Sequence, residues 1–65
     1  MPTRTEQFAN AFDLDLYRLV TRAELHADDS KGAEQADWLV VFAALNAARR
    51  TVRKYMSEAD RKATR

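Results

Sequence analysis

The feature that most constrains this chain is the run at residues 38–48, WLVVFAALNAA, in which Asn46 is the only polar residue. A surface helix carries one apolar stripe, whereas a helix that is apolar around most of its circumference must be covered on several sides. A chain of 65 residues holds too little material to provide that cover alone. The run therefore predicts an assembly, in which a second copy of the chain or a partner protein supplies the missing contacts.

Composition limits how a domain this small can be stabilised. Small domains usually depend on disulfides, a metal or oligomerisation. The chain has no cysteine and a single histidine, His26, so we expect neither metal nor cofactor. Oligomerisation is then the remaining means of stabilising the domain. We interpret His26 as a packed or half-exposed structural residue near the turn. No apolar run reaches the roughly 18 residues of a membrane span, and the N-terminus lacks a signal-peptide core, which predicts a soluble cytoplasmic protein.

Helix formers dominate the chain, which has one glycine and one proline, so the predicted fold class is all-α. Thr3 and Glu6 have the spacing of a capping box, which predicts that helix one covers 3–27. The turn formers at 28–32 predict a reversal, followed by helix two over 33–56. We expect a single domain, 1–65, folded as an antiparallel helical hairpin that dimerises into a four-helix bundle.

Two local features of this hairpin need the structure to decide them. Asp29 or Ser30 is the candidate cap of helix two, because both residue types accept from backbone amides at helix starts. Residues 57–60 either begin a short separate turn or continue helix two.

Helical spacing predicts the seam, meaning the side chains that pack between the two helices. On helix one these are Ala9, Phe12, Leu16, Leu19, Ala23 and His26. On helix two they are Trp38, Val41, Leu45, Ala48, Val52 and Tyr55. Antiparallel pairing about the turn places small residues opposite large ones in alternate layers, as interdigitating packing requires.

Apolar residues left outside this seam predict the dimer interface. On helix two they are Leu39, Val40, Ala43, Ala44 and Ala47. An alternative is that helix two has a wide core face within one bundle. Residues 1–37 carry a net charge of −4 and residues 38–65 one of +5, so an antiparallel dimer would bring opposite charges together.

Two surfaces are candidate binding sites. A patch of apolar, aromatic and arginine residues on the outer side of helix one predicts protein binding; it comprises Leu14, Tyr17, Arg18, Thr21, Arg22 and Leu25. Its simpler interpretation is scattered surface residues. A basic cluster contains Arg49, Lys62 and Arg65 together with the candidate nucleic-acid contacts Arg50, Arg53, Lys54 and Arg61. Those cations would equally suit a helix C-terminus and keep an apolar helix soluble.

Catalytic chemistry has no sequence signal here. The chain shows no nucleophile with a base and an orienting residue, and no glycine-rich phosphate loop. Asp13 and Asp15 are two residues apart on a helix, so their side chains diverge and cannot act as a carboxylate pair. We predict a protein that is not an enzyme.

Strings on either side of the turn, Glu24-Leu25-x-Ala27-Asp28 and Glu34-Gln35-Ala36-Asp37, resemble those of the Rop (repressor of primer) family. The resemblance implies a hairpin that dimerises into an antiparallel four-helix bundle. It also implies RNA binding across the first helices, on basic and amide residues around an aromatic. The matching positions here offer Gln7, Arg18 and Arg22, with Leu14 where the family has an aromatic, while Asp13 and Asp15 at the flanks would repel phosphate.

Together these features predict a small homodimeric protein that binds another protein and modulates its activity. Short, compact, cofactor-free helical chains of this kind are common among regulators and inhibitors carried by phages and other mobile elements. The alternative is a Rop-like dimer that binds RNA or DNA through its basic surface.

Overall fold

The computed structural model describes residues 3–63 of the chain and contains three helices in that range. They are α1 (Arg4–Asp29), α2 (Gly32–Arg53) and α3 (Glu58–Ala63). Contacts pair Asp13 with Arg49 and His26 with Trp38, so α1 and α2 run antiparallel along one another. The predicted all-α hairpin is therefore confirmed, and residues 3–63 contain no strand. The whole hairpin is a rod of 47 × 16 × 14 Å.

The start of α1 is fixed by the predicted capping box. The Thr3 amide donates to Glu6 Oε1 at 2.8 Å, and the Glu6 amide donates to Thr3 Oγ1 at 3.1 Å. Two amides that lack helical partners are satisfied in this way. The bond from the Thr3 backbone, with a smaller effect from its side chain, holds the pKa of Glu6 below its ordinary value of 4.5, because it stabilises the carboxylate.

The turn is shorter than the sequence predicts. α1 continues to Asp29, and only Ser30 and Lys31 separate it from α2. The expectation that Asp29 or Ser30 caps helix two is wrong: the N-cap is Lys31, whose side chain makes no capping bond. The Ser30 hydroxyl instead donates to the His26 carbonyl at 2.7 Å, so it closes the end of α1. Gly32 opens α2 with a φ of +63°, which favours glycine.

The C-terminal segment forms a separate helix. α2 ends at Arg53, earlier than the predicted position 56, and residues 54–57 make a turn before α3. In this turn the Tyr55 amide donates to the Val52 carbonyl at 2.9 Å, which tightens the end of α2. The side chain of Met56 is buried and anchors the turn.

The seam is rotated relative to the prediction. On α1 the buried residues are Ala9, Asp13, Leu16, Val20, Ala23 and Ala27. No residue of α2 is buried, and its half-buried residues in the same spacing are Trp38, Phe42, Leu45, Arg49 and Val52, with Asn46 and Arg53 half-buried beside them. Alternate positions of the predicted seam are confirmed, and the residues between them are exposed instead: Phe12, Leu19, His26, Val41, Ala48 and Tyr55.

A single ion pair explains the rotation. A spacing of three and four residues from Ala9 to Leu16 can pass through either Phe12 or Asp13, and hydrophobicity favours Phe12. In the fold Asp13 occupies the seam because Arg49 lies opposite and neutralises it. The same rotation puts Arg49 in the seam in place of Ala48. The expectation that Asp13 flanks an outer surface is therefore wrong.

Candidate protein-binding surfaces

In the half of the hairpin away from the turn, the half-buried Arg49 and Arg53 form an ion cluster around the buried Asp13. The Asp13 side chain is 1% exposed, and it accepts from Arg49 Nε at 3.0 Å and from Arg49 Nη2 at 3.2 Å. Arg53 Nη1 lies 3.6 Å from the second carboxylate oxygen. A buried carboxylate is costly unless it is paired and hydrogen-bonded, and this fork-shaped contact meets both conditions. The cluster aligns the two helices.

The guanidinium of Arg49 also contacts Tyr17. Its central carbon lies 5.1 Å from the ring centroid, within the range of a cation–π interaction. Arg49 thus reaches from the seam to the outer side of α1. Arg49 contacts both Asp13 and Tyr17, which lie on α1. The ion cluster therefore holds the exposed ring of Tyr17 in place.

The α1 outer surface comprises the predicted partner-binding residues, and all of them are exposed: Leu14, Tyr17, Arg18, Thr21, Arg22 and Leu25. Leu14, Thr21 and Leu25 recur on successive turns of one side of the helix. The Thr21 hydroxyl donates to the Tyr17 carbonyl at 3.1 Å, so it adds no free donor to the surface. The arginines border two leucines and an aromatic, a composition typical of protein-binding patches.

A second surface is visible only in the structure. The apolar face is formed by seam-flanking residues of both helices, all exposed: Phe8, Phe12, Leu19, Val41, Ala48 and Tyr55. Phe12 and Leu19 are seven residues apart on α1, as are Val41 and Ala48 on α2, so each row stays on one side of its helix. Tyr55 extends the second row from the turn that follows α2. The rows meet at an open groove of about 240 Å³ lined by Phe8, Phe12 and Tyr55 together with Thr5, Ala9 and Val52.

The predicted dimer interface forms a third surface, the α2 outer surface. Its members are all exposed: Leu39, Val40, Ala43, Ala44 and Ala47. Leu39 and Val40 are its only large side chains, and Ala44 borders the apolar face. No residue of α2 is buried, so α1 covers only one side of the apolar run. The other sides of the run are exposed in the isolated chain.

The basic cluster is divided by the fold. Arg50, Lys54 and Arg61 are exposed, but Arg53 is half-buried and its Nη2 donates to the Arg61 carbonyl at 2.9 Å. Arg49 and Arg53 both neutralise Asp13, which sequence reasoning did not foresee. The Lys62 side chain and Arg65 lie outside the part of the chain that the structure describes. Fewer cations are therefore available to a phosphate backbone than the sequence suggests.

The turn end is closed by aromatic packing. The rings of His26 and Trp38 stack with centroids 4.6 Å apart and planes at 23°. Gln35 Nε2 donates to the Ala27 carbonyl at 3.0 Å, which ties the first turn of α2 to the end of α1. These contacts fit a structural role for His26. Among the described residues no group of three His, Cys, Asp or Glu side chains could hold a metal ion.

No protein-family model matches the chain, and neither a curated protein nor a solved structure matches it. None of the helices in the described part has the length and apolar character needed to cross a membrane. Function is therefore inferred from the three surfaces themselves.

Proposed function

We propose that this protein is a non-enzymatic helical hairpin that pairs with a second copy into a four-helix bundle and binds another protein to modulate its activity. One observation carries the proposal: among the described residues the hairpin leaves ten large apolar side chains exposed, and it buries no residue of α2. Five of them share the apolar face, and contiguous exposed apolar patches of this kind mark interaction surfaces.

The α1 outer surface is the proposed contact with the target. Leu14 and Leu25 supply apolar contact area, and Arg18 and Arg22 can donate to a partner's carboxylates and carbonyls. Tyr17 is already oriented by Arg49, so less side-chain entropy is lost when it docks. A helix presenting such anchors suits a groove or another helix on the target. A cytoplasmic regulator or inhibitor of the type that mobile elements carry is consistent with this design.

The test compares two leucines of similar exposure on different helices. Leu14 is 46% exposed and Leu39 is 53% exposed, so replacing either by Asp removes no core contact. We expect Leu14→Asp, and likewise Leu25→Asp, to abolish affinity capture of the target from cells that express the protein, while Leu39→Asp retains it. Circular dichroism should show the same helix content in all variants. Capture that survives both α1 substitutions would exclude the α1 outer surface as the contact.

A second candidate is a Rop-like dimer that binds RNA or DNA. The exposed Arg50, Lys54 and Arg61 near one end of the hairpin favour it. Binding would depend steeply on salt, since each phosphate contact releases counterions, and the double variant Arg50→Gln/Lys54→Gln would weaken it. An absence of gel shift at low salt would exclude this candidate.

A further inference from the structure

We infer that the second copy of this chain docks on the apolar face, in an antiparallel orientation, with α1 against α1 and α2 against α2. This inference rests on the proposed homodimer and assigns its contact surface. The sequence alone indicates the α2 outer surface for that role. The structure offers a surface that is wider and that uses both helices.

The exposed area of the hairpin matches what one such contact would bury. A folded monomer of 7.5 kDa is expected to expose about 4,200 Å². This chain exposes 5080 Å². The excess of about 900 Å² is close to one partner's share of a standard protein interface, about 800 Å². Pairing two copies face to face would therefore bring the exposed area per chain close to that of an ordinary globular domain.

The apolar face completes the half-covered seam beneath it. Trp38, Leu45 and Val52 are only partly buried by α1, and a helix pair laid over the apolar face would cover their open sides. Ala48 and the adjoining Ala44 lie near the middle of the rod, where alanines let two copies of α2 approach closely. By contrast, the α2 outer surface is a single helix wide.

Charge sets the orientation of the second copy. At the turn end the exposed acidic residues outnumber the exposed Lys31; they are Asp28, Asp29, Glu34 and Asp37. At the other end the exposed Arg4, Lys54 and Arg61 outnumber the exposed Glu58. A two-fold axis across the middle of the rod places each acidic end over the basic end of the other copy. The parallel alternative would gather like charges at both ends, which is unfavourable. The two-fold also makes the contact self-complementary, with Phe12 of one copy near Leu19 of the other.

The main experiment measures oligomeric state by sedimentation with matched substitutions. Phe12 is 58% exposed and Leu39 is 53% exposed, so both tolerate glutamate in the isolated hairpin. We expect a wild-type dimer, and we expect Phe12→Glu to raise its dissociation constant about 100-fold because each dimer would bury two unpaired carboxylates. Leu39→Glu should leave the dimer unchanged.

Crosslinking through single introduced cysteines gives a second readout, and it does not require a substitution that disrupts the dimer. The native chain has no cysteine, so each introduced thiol is unique. With a short bis-maleimide crosslinker, we expect Ala48→Cys to yield covalent dimers and Ala43→Cys, on the α2 outer surface, to yield none. Tyr55→Cys should also fail to crosslink, because an antiparallel pairing separates the two copies of position 55 by about 27 Å along the axis. Efficient crosslinking through position 55 would show a parallel dimer and overturn the orientation.

The outcomes separate this inference from the proposed function. A dimer that survives Phe12→Glu and crosslinks through position 43 would refute the apolar face and leave the proposed homodimer intact. A wild-type chain that sediments as a monomer would refute both the inference and the homodimer. Target capture, tested with Leu14→Asp, would remain a separate measurement.

Discussion

The carboxylate of Asp13 lies between the two helices and influences which of their faces pack together. It is fully enclosed at the seam, where Arg49 and Arg53 of α2 meet it. An ion pair of this kind adds little net stability compared with an apolar pair, because desolvation of the charges offsets their attraction. It does penalise any other alignment of the helices, since a shifted α2 would leave the carboxylate buried without a partner. We therefore interpret the cluster as the feature that selects the observed seam.

Replacing Asp13 by alanine should destabilise the hairpin strongly. The change leaves Arg49 partly buried and without its carboxylate, which costs about 3 kcal/mol for a buried pair that loses one partner. That is a large fraction of the roughly 5 kcal/mol expected for a domain of this size. Urea unfolding followed by circular dichroism measures the loss. The control is Asp15→Ala, an exposed residue whose carboxylate lies 4.0 Å from Arg18, which should change stability by less than about 0.5 kcal/mol.

The same residue shows where prediction from the sequence stops. Apolar periodicity predicts alternate seam positions such as Leu16 and Leu45, because these positions belong to the seam whether it passes through Phe12 or through Asp13. It could not choose between Phe12 and Asp13, since a carboxylate reads as a surface residue until its partner is known. The pairing is visible in retrospect: Asp13 and Arg49 each lie three residues before a seam position, Leu16 and Val52, and carry opposite charges. As a consequence the sequence does not predict the apolar face, because apolar periodicity assigns its two rows of residues to the core.

At the scale of the elements, the start of α1 is more predictable than the connection between the two helices. The capping box at Thr3 and Glu6 depends on side chains three residues apart, so the sequence contains all of it. The end of α1 and the start of α2 depend on backbone conformation at Ser30, Lys31 and Gly32. Of these only Gly32 adopts a positive φ, and that conformation lets a two-residue connection reverse the chain.

Gly32→Ala should cost about 1 kcal/mol of hairpin stability, because alanine is disfavoured at positive φ. Apart from the adjoining residues and the backbone of its own helix, no atom lies within 4 Å of the position that the new Cβ would occupy, so a clash with other parts of the hairpin contributes nothing. Gly32→Asn should recover part of the loss, since asparagine tolerates this conformation better. Thermal unfolding of the three proteins gives the ranking directly. Equal stability of the alanine and glycine forms would show that the turn relaxes to a negative φ.

At the scale of the whole molecule, the charge distribution and the uncovered surface indicate the same assembly. The acidic half of the chain contributes α1 and the turn, and the basic half contributes most of α2 and the segment after it. In the folded hairpin the exposed acidic side chains concentrate at the turn end and the exposed basic ones at the opposite end, so the charge is polarised along a rod of 47 Å. In the proposed assembly the apolar face serves self-association, and the α1 outer surface contacts the proposed target.

The salt dependence of dimerisation tests this polarity without any substitution. If opposite ends meet, raising NaCl from about 0.02 M to about 0.5 M should weaken the dimer, because the Debye length falls below the separation of the exposed charges. The effect should stay within about tenfold, since exposed pairs contribute little and apolar contact dominates. Sedimentation equilibrium across a salt series measures the dissociation constant. A dimer that tightens with added salt would show that like-charged ends are in contact, and would require a parallel arrangement.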